Sequence, residues 1–324
     1  MENKKKILFL FHPTVASGFE ELYSRYEVLT LPEGKKFSEE LLPELPQDVH
    51  VLATEFTIPV TPKVIDYFPN LQLIANYAVG YNNIDVAYAQ SKNITVSNTP
   101  QAVIQPTAEL SVGLLLGVSR RIAEWDRIMR KQRSSQKGSL ADGMGWDLYK
   151  KTVGIIGYGN IGRAVGKMLQ AFGMSVKYNK RHRLTPQEEK ELGVTYASTD
   201  EIFQTCDVIS LHTPYTPESH HMVNERTLAM MKPDAILVNA ARGKVVDEAA
   251  LVEALKAKKI AGAGLDVFEH DDNPLDELYD LQNVCMTPHV GTQTREARVA
   301  MAEELSNNIV GFFEKDRPIA IVKL

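Results

Sequence analysis

A glycine-rich segment near the middle of the chain constrains the fold more than any other feature. The apolar run Val153–Ile156 leads into Gly157–Gly162, which has glycine at its first, third and sixth positions. Residues at helical spacing follow, and then a second apolar run, Ser175–Tyr178. This order of strand, glycine turn, helix and strand is typical of a unit whose backbone closely approaches a pyrophosphate. We therefore predict a dinucleotide site at a helix N-terminus, formed by Gly157, Gly159, Asn160, Ile161 and Gly162.

The residues at the end of the second apolar run indicate which dinucleotide binds. NAD-preferring sites usually place an acidic residue about 20 residues after the motif, where it accepts hydrogen bonds from the ribose hydroxyls. Here the strand ends in Asn179, Lys180, Arg181, His182 and Arg183, without an acid. Because cations attract a 2′-phosphate, we predict that NADP(H) is preferred and that Asn179, Lys180 and Arg181 surround this phosphate. NAD(H) stays possible, and a solvated basic loop is the alternative interpretation.

Composition and charge narrow the class of protein. With 44% hydrophobic and 24% charged residues the chain has an ordinary globular composition, and its net charge of −5 gives no general attraction to nucleic acid. The two cysteines, Cys206 and Cys285, do not indicate a disulfide framework and fit a reducing compartment. Ile7–Phe11 is too short for an export signal and Leu110–Val118 is too short to span a bilayer. We expect a cytoplasmic protein with no nucleic-acid or membrane partner.

Apolar runs and helical segments alternate along both halves of the chain. Short helices are predicted at Thr61–Tyr67 and Asp85–Ser91, and residues Gln101 to Lys131 are interpreted as one long helix. Residues 132–145 are predicted to form a loop. This alternation indicates an α/β protein with two doubly wound parallel-sheet domains. Buried strands are predicted at Ile7–Phe11, Val49–Ala53, Leu73–Ala75, Ile94–Val96, Asp207–Leu211, Ala235–Asn239, Gly262–Val267 and Val284–Thr287.

Three segments place charged or polar side chains soon after predicted strands, and they carry Arg242, Asp271 and His289. The carboxyl ends of parallel strands face the ligand crevice of such sheets. An arginine there can bind a carboxylate bidentately, and a histidine can transfer a proton near neutral pH. Taken singly, Arg242 can be a surface ion-pair partner, His289 a structural histidine and Asp271 part of a solvated acidic loop. Beside a nicotinamide site, the three together suit hydride transfer on a 2-oxo acid.

A series of motifs along nearly the whole chain resembles one known family. The chain is identified by them as a member of the D-isomer-specific 2-hydroxyacid dehydrogenases, and it is most similar to their glyoxylate/hydroxypyruvate reductase branch. The resemblance implies hydride transfer between nicotinamide C4 and C2 of the acid. The motifs, besides the glycine segment, are Ile74–Asp85 (IANYAVGYNNID), Ser97–Pro100 (SNTP), Thr107–Glu109 (TAE), His212–Pro214 (HTP), Val238–Gly243 (VNAARG), Gly264–Phe268 (GLDVF) and Thr287–Thr292 (TPHVGT).

The resemblance implies a role for each residue of the catalytic set. Arg242 would bind the carboxylate and polarise the carbonyl of the substrate. His289 would protonate the nascent alkoxide during reduction. The acid that orients this histidine is usually a Glu in the family, and the matching residue here is Asp271. Because Asp is shorter by one carbon–carbon bond, about 1.5 Å, we expect a longer contact with His289, or Glu269 as the partner instead.

The resemblance also implies further binding residues and a domain plan. The backbone N–H groups of Val79 and Gly80 would take the substrate carboxylate. Residues 1–100 and 292–324 would form a flavodoxin-like substrate domain, into which a Rossmann cofactor domain, residues 101–291, is inserted. A homodimer is expected, and His220 and His221 are predicted to begin a solvated helix rather than to bind a metal. Further cofactor contacts are expected at Thr107, Pro214, Ala240, Asp266 and Gly291.

Together these features predict NAD(P)H-dependent reduction of a small 2-oxo acid, glyoxylate or hydroxypyruvate, to the D-2-hydroxy acid. One alternative keeps the chemistry and changes the substrate to 2-ketogluconate or another bulkier 2-oxo acid. A second alternative belongs to another class, because some relatives are NAD(H)-sensing transcriptional corepressors that use the same fold as a binding module. Turnover separates these classes, since a sensor would bind cofactor with negligible catalysis.

Overall fold

The computed structural model describes residues 4–133, 143–271 and 273–323, and the chain divides into two domains. The first domain comprises Met1–Val103 and Thr292–Leu324, and the second comprises Ile104–Gly291. The chain therefore leaves the first domain once and returns to it at its C-terminal end. Most of the loop predicted at 132–145 lies outside the described residues.

The first domain is built on a parallel sheet of five strands. In chain order its elements are β1 (Lys6–Phe9), α1 (Glu20–Arg25), β2 (Glu27–Thr30), a 3₁₀ helix (Glu39–Glu44), β3 (Val51–Thr54), α2 (Pro62–Tyr67), β4 (Leu73–Asn76), α3 (Val86–Ser91) and β5 (Thr95–Ser97). The strand order in the sheet, β2-β1-β3-β4-β5, is the doubly wound order of flavodoxin-like folds. Thr61 and Asp85 act as N-caps of α2 and α3, where they accept hydrogen bonds from the N–H groups of Val64 and Tyr88.

The second domain contains a parallel sheet of seven strands. In chain order its elements are α4 (Ile104–Ser119), α5 (Ile122–Gln132), β6 (Thr152–Ile156), α6 (Asn160–Ala171), β7 (Ser175–Asn179), α7 (Pro186–Leu192), β8 (Val194–Tyr196), α8 (Thr199–Thr205), β9 (Val208–Leu211), α9 (Glu225–Met230), β10 (Ile236–Asn239), a 3₁₀ turn (Gly243–Val245), α10 (Glu248–Lys256), β11 (Gly262–Leu265), α11 (Asp276–Asp280) and β12 (Val284–Met286). The strands lie in the order β12-β11-β10-β9-β6-β7-β8, which is the Rossmann order with one additional strand. The predicted fold class, two doubly wound parallel-sheet domains, is therefore confirmed.

The long helix predicted from Gln101 to Lys131 is wrong, because the chain breaks it into α4 and α5. The break falls at Arg121, which adopts the left-handed conformation with a φ of 55°. Its guanidinium binds the carboxylate of Glu124 with two hydrogen bonds of 2.6 Å and also donates to the carbonyl oxygen of Gly143. These contacts favour a turn where the local spacing of apolar residues favours a continuous helix.

The C-terminal helix, α12 (Arg295–Glu314), completes the first domain. Thr294 caps its N-terminus by accepting a hydrogen bond from the N–H group of Ala297. Within the helix, Ser306 Oγ donates to the carbonyl oxygen of Gly18 at 2.6 Å, and Asn308 Nδ2 donates to that of Asn98 at 2.8 Å. Buried polar groups on α12 thus fasten the end of the chain to segments near its beginning.

Candidate active site

The turn between β6 and α6 has the geometry that a pyrophosphate requires. Gly157 adopts a φ of +95°, and a Cβ there would lie 2.4 Å from the carbonyl carbon of His212. A Cβ at Gly162 would lie 2.4 Å from the carbonyl oxygen of Gly157, so α6 packs directly on the turn. At Gly159, however, a Cβ would meet nothing within 4 Å. The protein itself requires the first and third glycines, whereas the second borders open space that a ligand can occupy.

The N-terminus of α6 supplies hydrogen-bond donors beside this open space. The helix begins at Asn160 with Gly159 as its N-cap, and no side chain caps it. The first N–H groups of a helix lack intrahelical acceptors and carry the positive end of its dipole, so they suit phosphate oxygens. The residues present therefore fit a dinucleotide, whose pyrophosphate would accept from the N–H groups of Asn160 and Ile161.

Asn179 holds the end of β7 against this turn. Its carbonyl oxygen accepts hydrogen bonds from the N–H groups of Gly157 and Tyr158, at 3.0 and 3.2 Å. Its side-chain Nδ2 donates to the carbonyl oxygen of Ala197 at 2.9 Å. The Nδ2 group of Asn179 is therefore already hydrogen-bonded, and this residue positions the loop that follows.

The basic residues of that loop differ in their contacts. Arg183 binds both carboxylate oxygens of Glu189, at 2.8 and 3.0 Å, and its guanidinium lies 5.0 Å from the ring centroid of Tyr196. Within the part of the chain that the structure describes, Lys180 and Arg181 form no ion pair, and Arg181 is exposed. The cations that remain available to a ligand at the end of β7 are therefore Lys180 and Arg181.

The loops that carry Arg242 and Asp271 cross each other in van der Waals contact. A Cβ at Gly243 would lie only 1.6 Å from the carbonyl oxygen of Phe268 and 2.5 Å from the backbone nitrogen of Glu269. Glycine is therefore the only residue that fits this crossing without displacing a backbone. No local pattern in the sequence indicates this role for Gly243, although it directly follows Arg242.

Arg242 lies at the start of the 3₁₀ turn that follows β10. Its Nη1 donates to the carbonyl oxygen of Ala241 at 2.6 Å. The Asn239 side chain donates to the carbonyl oxygen of Arg242 and accepts from the N–H group of Ala241, which fixes the backbone of this turn. Burial lowers the pKa of Arg242 from its ordinary value, and the charge of Asp271 opposes that effect. A guanidinium stays protonated even so, which makes Arg242 a largely desolvated cation suited to an anionic ligand.

Asp271 and His289 form a hydrogen-bonded pair. Asp271 Oδ2 lies 2.9 Å from His289 Nδ1, and Asp271 Oδ1 accepts from the N–H group of Phe268 at 2.7 Å. Burial raises the pKa of Asp271, but the hydrogen bonds from His289 and Phe268 outweigh it and leave the pKa below its usual value. The expected lengthening of this contact is therefore wrong, because the Phe268–Asp271 turn carries the shorter side chain to the imidazole.

Asp266 organises the loop on which His289 lies. Its Oδ1 accepts from Thr287 Oγ1 at 2.6 Å and from the Val290 N–H group at 2.8 Å, and its Oδ2 accepts from the Gly291 N–H group at 2.9 Å. Burial raises the pKa of Asp266, and these hydrogen bonds oppose the rise. His289 itself has a φ of 54°, and its N–H group donates to the Asp266 carbonyl oxygen at 2.8 Å. Asp266 thus fixes the backbone that presents the imidazole.

Glu269, the alternative partner of His289, contacts a different histidine. Its Oε1 lies 2.9 Å from Nε2 of His221. The predicted helix start at His220 and His221 is also wrong, because both residues lie in a turn and α9 begins at Glu225 behind its N-cap Asn224. No cluster of three metal-binding side chains occurs among the described residues.

Four other residues of the second domain belong to the predicted motifs: His212, Pro214, Thr107 and Gly291. His212 follows β9, and burial lowers its pKa to about 4, so this histidine stays neutral near pH 7. The carbonyl oxygen of Pro214 accepts a hydrogen bond from Ser219 Oγ at 2.9 Å. A Cβ at Gly291 would lie 3.4 Å from Oγ1 of Thr107, so these two predicted cofactor residues are neighbours.

In the first domain, the loop after β4 exposes its backbone donors. Asn76 Nδ2 donates to the carbonyl oxygen of Gly80 at 2.6 Å, and Asn98 Nδ2 donates to that of Val79 at 2.8 Å. Neither Val79 nor Gly80 directs its N–H group to an acceptor within residues 4–133, 143–271 or 273–323. Two asparagines thus fix the carbonyl groups and leave adjacent N–H groups for an anion such as a carboxylate.

Comparison with known proteins agrees with this architecture. Residues 112–291 match the model of the D-isomer specific 2-hydroxyacid dehydrogenase, NAD binding domain. The sequence is 40% identical over 309 residues to a glyoxylate reductase from Thermococcus onnurineus, which covers 94% of this chain and 92% of the relative. The chain therefore belongs to the D-isomer specific 2-hydroxyacid dehydrogenase family, as the motifs predicted.

Solved structures give the same result for the fold. A glyoxylate reductase from Paecilomyes thermophila superposes with a TM-score of 0.89 at 31% identity, over 98% of each chain. An NADPH-dependent glyoxylate/hydroxypyruvate reductase from Sinorhizobium meliloti, in complex with NADP and malonate, superposes with a TM-score of 0.87 at 30% identity, over 99% of this chain and 97% of that one. No helix within the described ranges is long and apolar enough to cross a membrane.

Proposed function

We propose that this protein is a reductase of small 2-oxo acids, with glyoxylate and hydroxypyruvate as substrates and NADPH as the preferred cofactor. The observation that carries this proposal is the pair of Asp271 and His289, 2.9 Å apart, in the same domain as the half-buried Arg242 and the glycine turn. The relatives named glyoxylate reductase and glyoxylate/hydroxypyruvate reductase support the choice of substrate.

The reaction adds one hydride and one proton to the carbonyl group of the substrate. A nicotinamide cofactor, when bound, would supply the hydride that C2 receives. Arg242 would bind the carboxylate and polarise the carbonyl oxygen, since its charge is desolvated before the substrate arrives. His289 would deliver a proton from Nε2 to that oxygen, which yields the D-2-hydroxy acid. Asp271, bound to Nδ1, would fix the tautomer and stabilise the imidazolium form.

Each domain has predicted ligand contacts of its own. In the second domain, the open space at Gly159 and the donors of α6 would hold the pyrophosphate. Asp266 has one acceptor position left after its three hydrogen bonds, enough for the predicted contact with the nicotinamide carboxamide. In the first domain, the N–H groups of Val79 and Gly80 would take the substrate carboxylate.

The preference for NADPH rests on Lys180 and Arg181. Neither forms an ion pair in the described structure, so a 2′-phosphate would not have to displace an existing partner. Charge-assisted hydrogen bonds of this kind contribute about 1.5–3 kcal/mol each. We infer that Lys180 and Arg181 supply this energy and that Asn179 mainly positions them.

The test measures initial rates with NADPH and with NADH against glyoxylate, hydroxypyruvate, pyruvate and 2-ketogluconate. In the double variant Lys180→Ala with Arg181→Ala, kcat/KM for NADPH should fall by about 10²-fold or more, and that for NADH should change by about 2-fold at most. Arg183→Ala is the matched control, because this cation is already bound to Glu189.

The outcomes separate the alternatives. Faster turnover with NADH than with NADPH in the wild type would refute the cofactor proposal, and turnover with only 2-ketogluconate would refute the substrate. Tight cofactor binding without turnover of any acid would support a sensor of the corepressor type. Arg242→Ala should abolish turnover and spare cofactor binding if the protein is the proposed enzyme.

We also propose a homodimer formed through the second domain. Helix α5 is exposed on its apolar side, with Ile122 56% and Met129 51% accessible, while its buried residue is Glu124. Arg121, which directly precedes α5, donates a hydrogen bond to Gly143. The next residue after Gly143 is Met144, which is 78% accessible. Exposed apolar side chains of this size on one face are typical of an interface, and a second copy of the chain would cover them.

Light scattering tests this assembly. The double variant Ile122→Lys with Met129→Lys should convert the dimer to a monomer, because two charges would be buried in an apolar contact. Tyr279→Lys is the control, since Tyr279 is 56% accessible on α11 and the dimer should tolerate its replacement. A monomeric wild type, or a double variant that stays dimeric, would contradict the proposal.

A further inference from the structure

We propose that His221 and Glu269 form a positioning pair that sets the contact between Asp271 and His289. Neither residue touches the reacting atoms in this proposal. They would act through the backbone of the Phe268–Asp271 turn, which carries both Glu269 and Asp271. The inference rests on the proposed acid–base role of His289 and assigns a further function to a histidine that the mechanism does not use.

Hydrogen bonds hold the backbone of His221, and a neighbouring ring packs against its imidazole. It adopts a φ of 47°, its N–H group donates to the carbonyl oxygen of Lys244 at 3.0 Å, and its own carbonyl accepts from Asn224 Nδ2 at 2.8 Å. Its ring stacks on that of His220 with centroids 3.9 Å apart. A left-handed non-glycine residue needs surrounding contacts of this kind, so the orientation of the ring is specified by the fold.

His221 connects three loops of the second domain through its ring and its backbone. Nε2 lies 2.9 Å from Glu269 Oε1, and Nδ1 lies 4.0 Å from Asp247 Oδ2 at the start of α10. The backbone of His221 is bound to Lys244, two residues after Arg242. The histidine thus links the loop after Pro214 to the loops that carry Arg242 and Asp271.

Glu269 is held at two points, by its backbone N–H group and by the contact of its side chain with His221. Its N–H group donates to Glu248 Oε2 at 2.9 Å, and the preceding carbonyl group is in contact with Gly243. The next hydrogen bond along the turn joins the Phe268 N–H group to Asp271 Oδ1 at 2.7 Å. Because Asp271 is only two residues from Glu269, loss of the His221 contact would let the turn relax and lengthen the Asp271–His289 hydrogen bond.

The effect should appear in the pH dependence of reduction. His289 must be protonated to deliver its proton, so the rate falls as the imidazolium is lost at high pH. Among the residues that the structure describes, Asp271 faces His289 by a direct hydrogen bond and Asp266 acts on it through its field, while Arg242 acts on Asp271. A loosened Asp271 stabilises the imidazolium less, so the alkaline limb of the rate profile would move to lower pH.

Two pairs of variants test the proposal in the intact protein. His221→Leu and Glu269→Ala should each lower kcat by about 10-fold, leave KM for NADPH within about 2-fold, and shift the alkaline limb to lower pH. His221→Gln and Glu269→Gln, which keep a donor and an acceptor at the contact, should recover most of kcat and the wild-type limb. His220→Phe is the matched control, because it keeps an aromatic ring beside His221 and removes only an imidazole that has no part in the carboxylate contact.

Three results would overturn the proposal. They are an unchanged limb in His221→Leu and Glu269→Ala, a loss of kcat that follows thermal stability alone, and an equal shift in His220→Phe. The titration of the His289 ring protons by NMR, assigned with His289→Gln, reports the same coupling without turnover. A wild type that is inactive on all acids would therefore refute the proposed function, while the NMR titration would still decide whether His221 positions Asp271.

Discussion

The crossing at Gly243 gives the sharpest prediction, because a single methyl group tests it. In Gly243→Ala the new Cβ would lie 1.6 Å from the Phe268 carbonyl oxygen, whereas real Cβ contacts are essentially never closer than 3.0 Å. One of the two backbones must therefore retreat by about 1.4 Å. A misplacement of about 1 Å at a catalytic group can lower the rate by about 10²-fold, so kcat for glyoxylate should fall by that factor or more.

The assay compares kcat at saturating NADPH and glyoxylate with cofactor affinity and thermal unfolding. Overpacking should also lower the free energy of unfolding by about 1–3 kcal/mol. The control is Gly113→Ala, because a Cβ at this exposed position of α4 meets nothing within 4 Å. Alanine there should stabilise the helix by about 0.5–1 kcal/mol and leave kcat unchanged. Wild-type kcat in a folded Gly243→Ala protein would refute the reasoning.

Two further predictions concern charged groups of the second domain. Asp271→Asn should lower kcat by about 10²–10⁴-fold with little change in cofactor affinity, because a neutral amide no longer stabilises the protonated His289; stopped-flow and steady-state rates check this. Burial raises the pKa of Asp207, but hydrogen bonds from the Thr152 N–H group and Lys232 outweigh it and leave the pKa below 3.8. Its ionised form therefore stabilises the fold above about pH 4, and this contribution is lost as the pH falls through the lowered pKa. Denaturant unfolding should show a smaller loss of stability on acidification in Asp207→Asn than in the wild type, and equal losses would contradict this assignment.

The elements that depend on local chemistry could be predicted from the sequence. The glycine turn was visible because Gly157 and Gly162 are required by close backbone contacts within one short unit. The buried strands β3, β4, β9 and β10 were visible because each is a continuous apolar run covered on both faces. Polar residues after such strands share one edge of the sheet, which is why Arg242, Asp271 and His289 could be selected together.

Features that depend on tertiary contacts could not be predicted. The edge strands β2 and β8 were missed because they are short and partly exposed, so neither forms a continuous apolar run. The break at Arg121 depends on Gly143, twenty-two residues away. The length of the Asp271–His289 contact depends on how the Phe268 turn folds, and no spacing in the sequence specifies that turn.

The division of the first domain between the two ends of the chain sets the order in which the protein can be completed during synthesis. The second domain is one continuous segment, Ile104–Gly291, and can bury its core as soon as that segment has left the ribosome. Helix α12, which packs on β4 and α1, is made after the second domain. The nascent first domain therefore keeps the apolar surface that α12 covers open to solvent while the whole of the second domain is being synthesised.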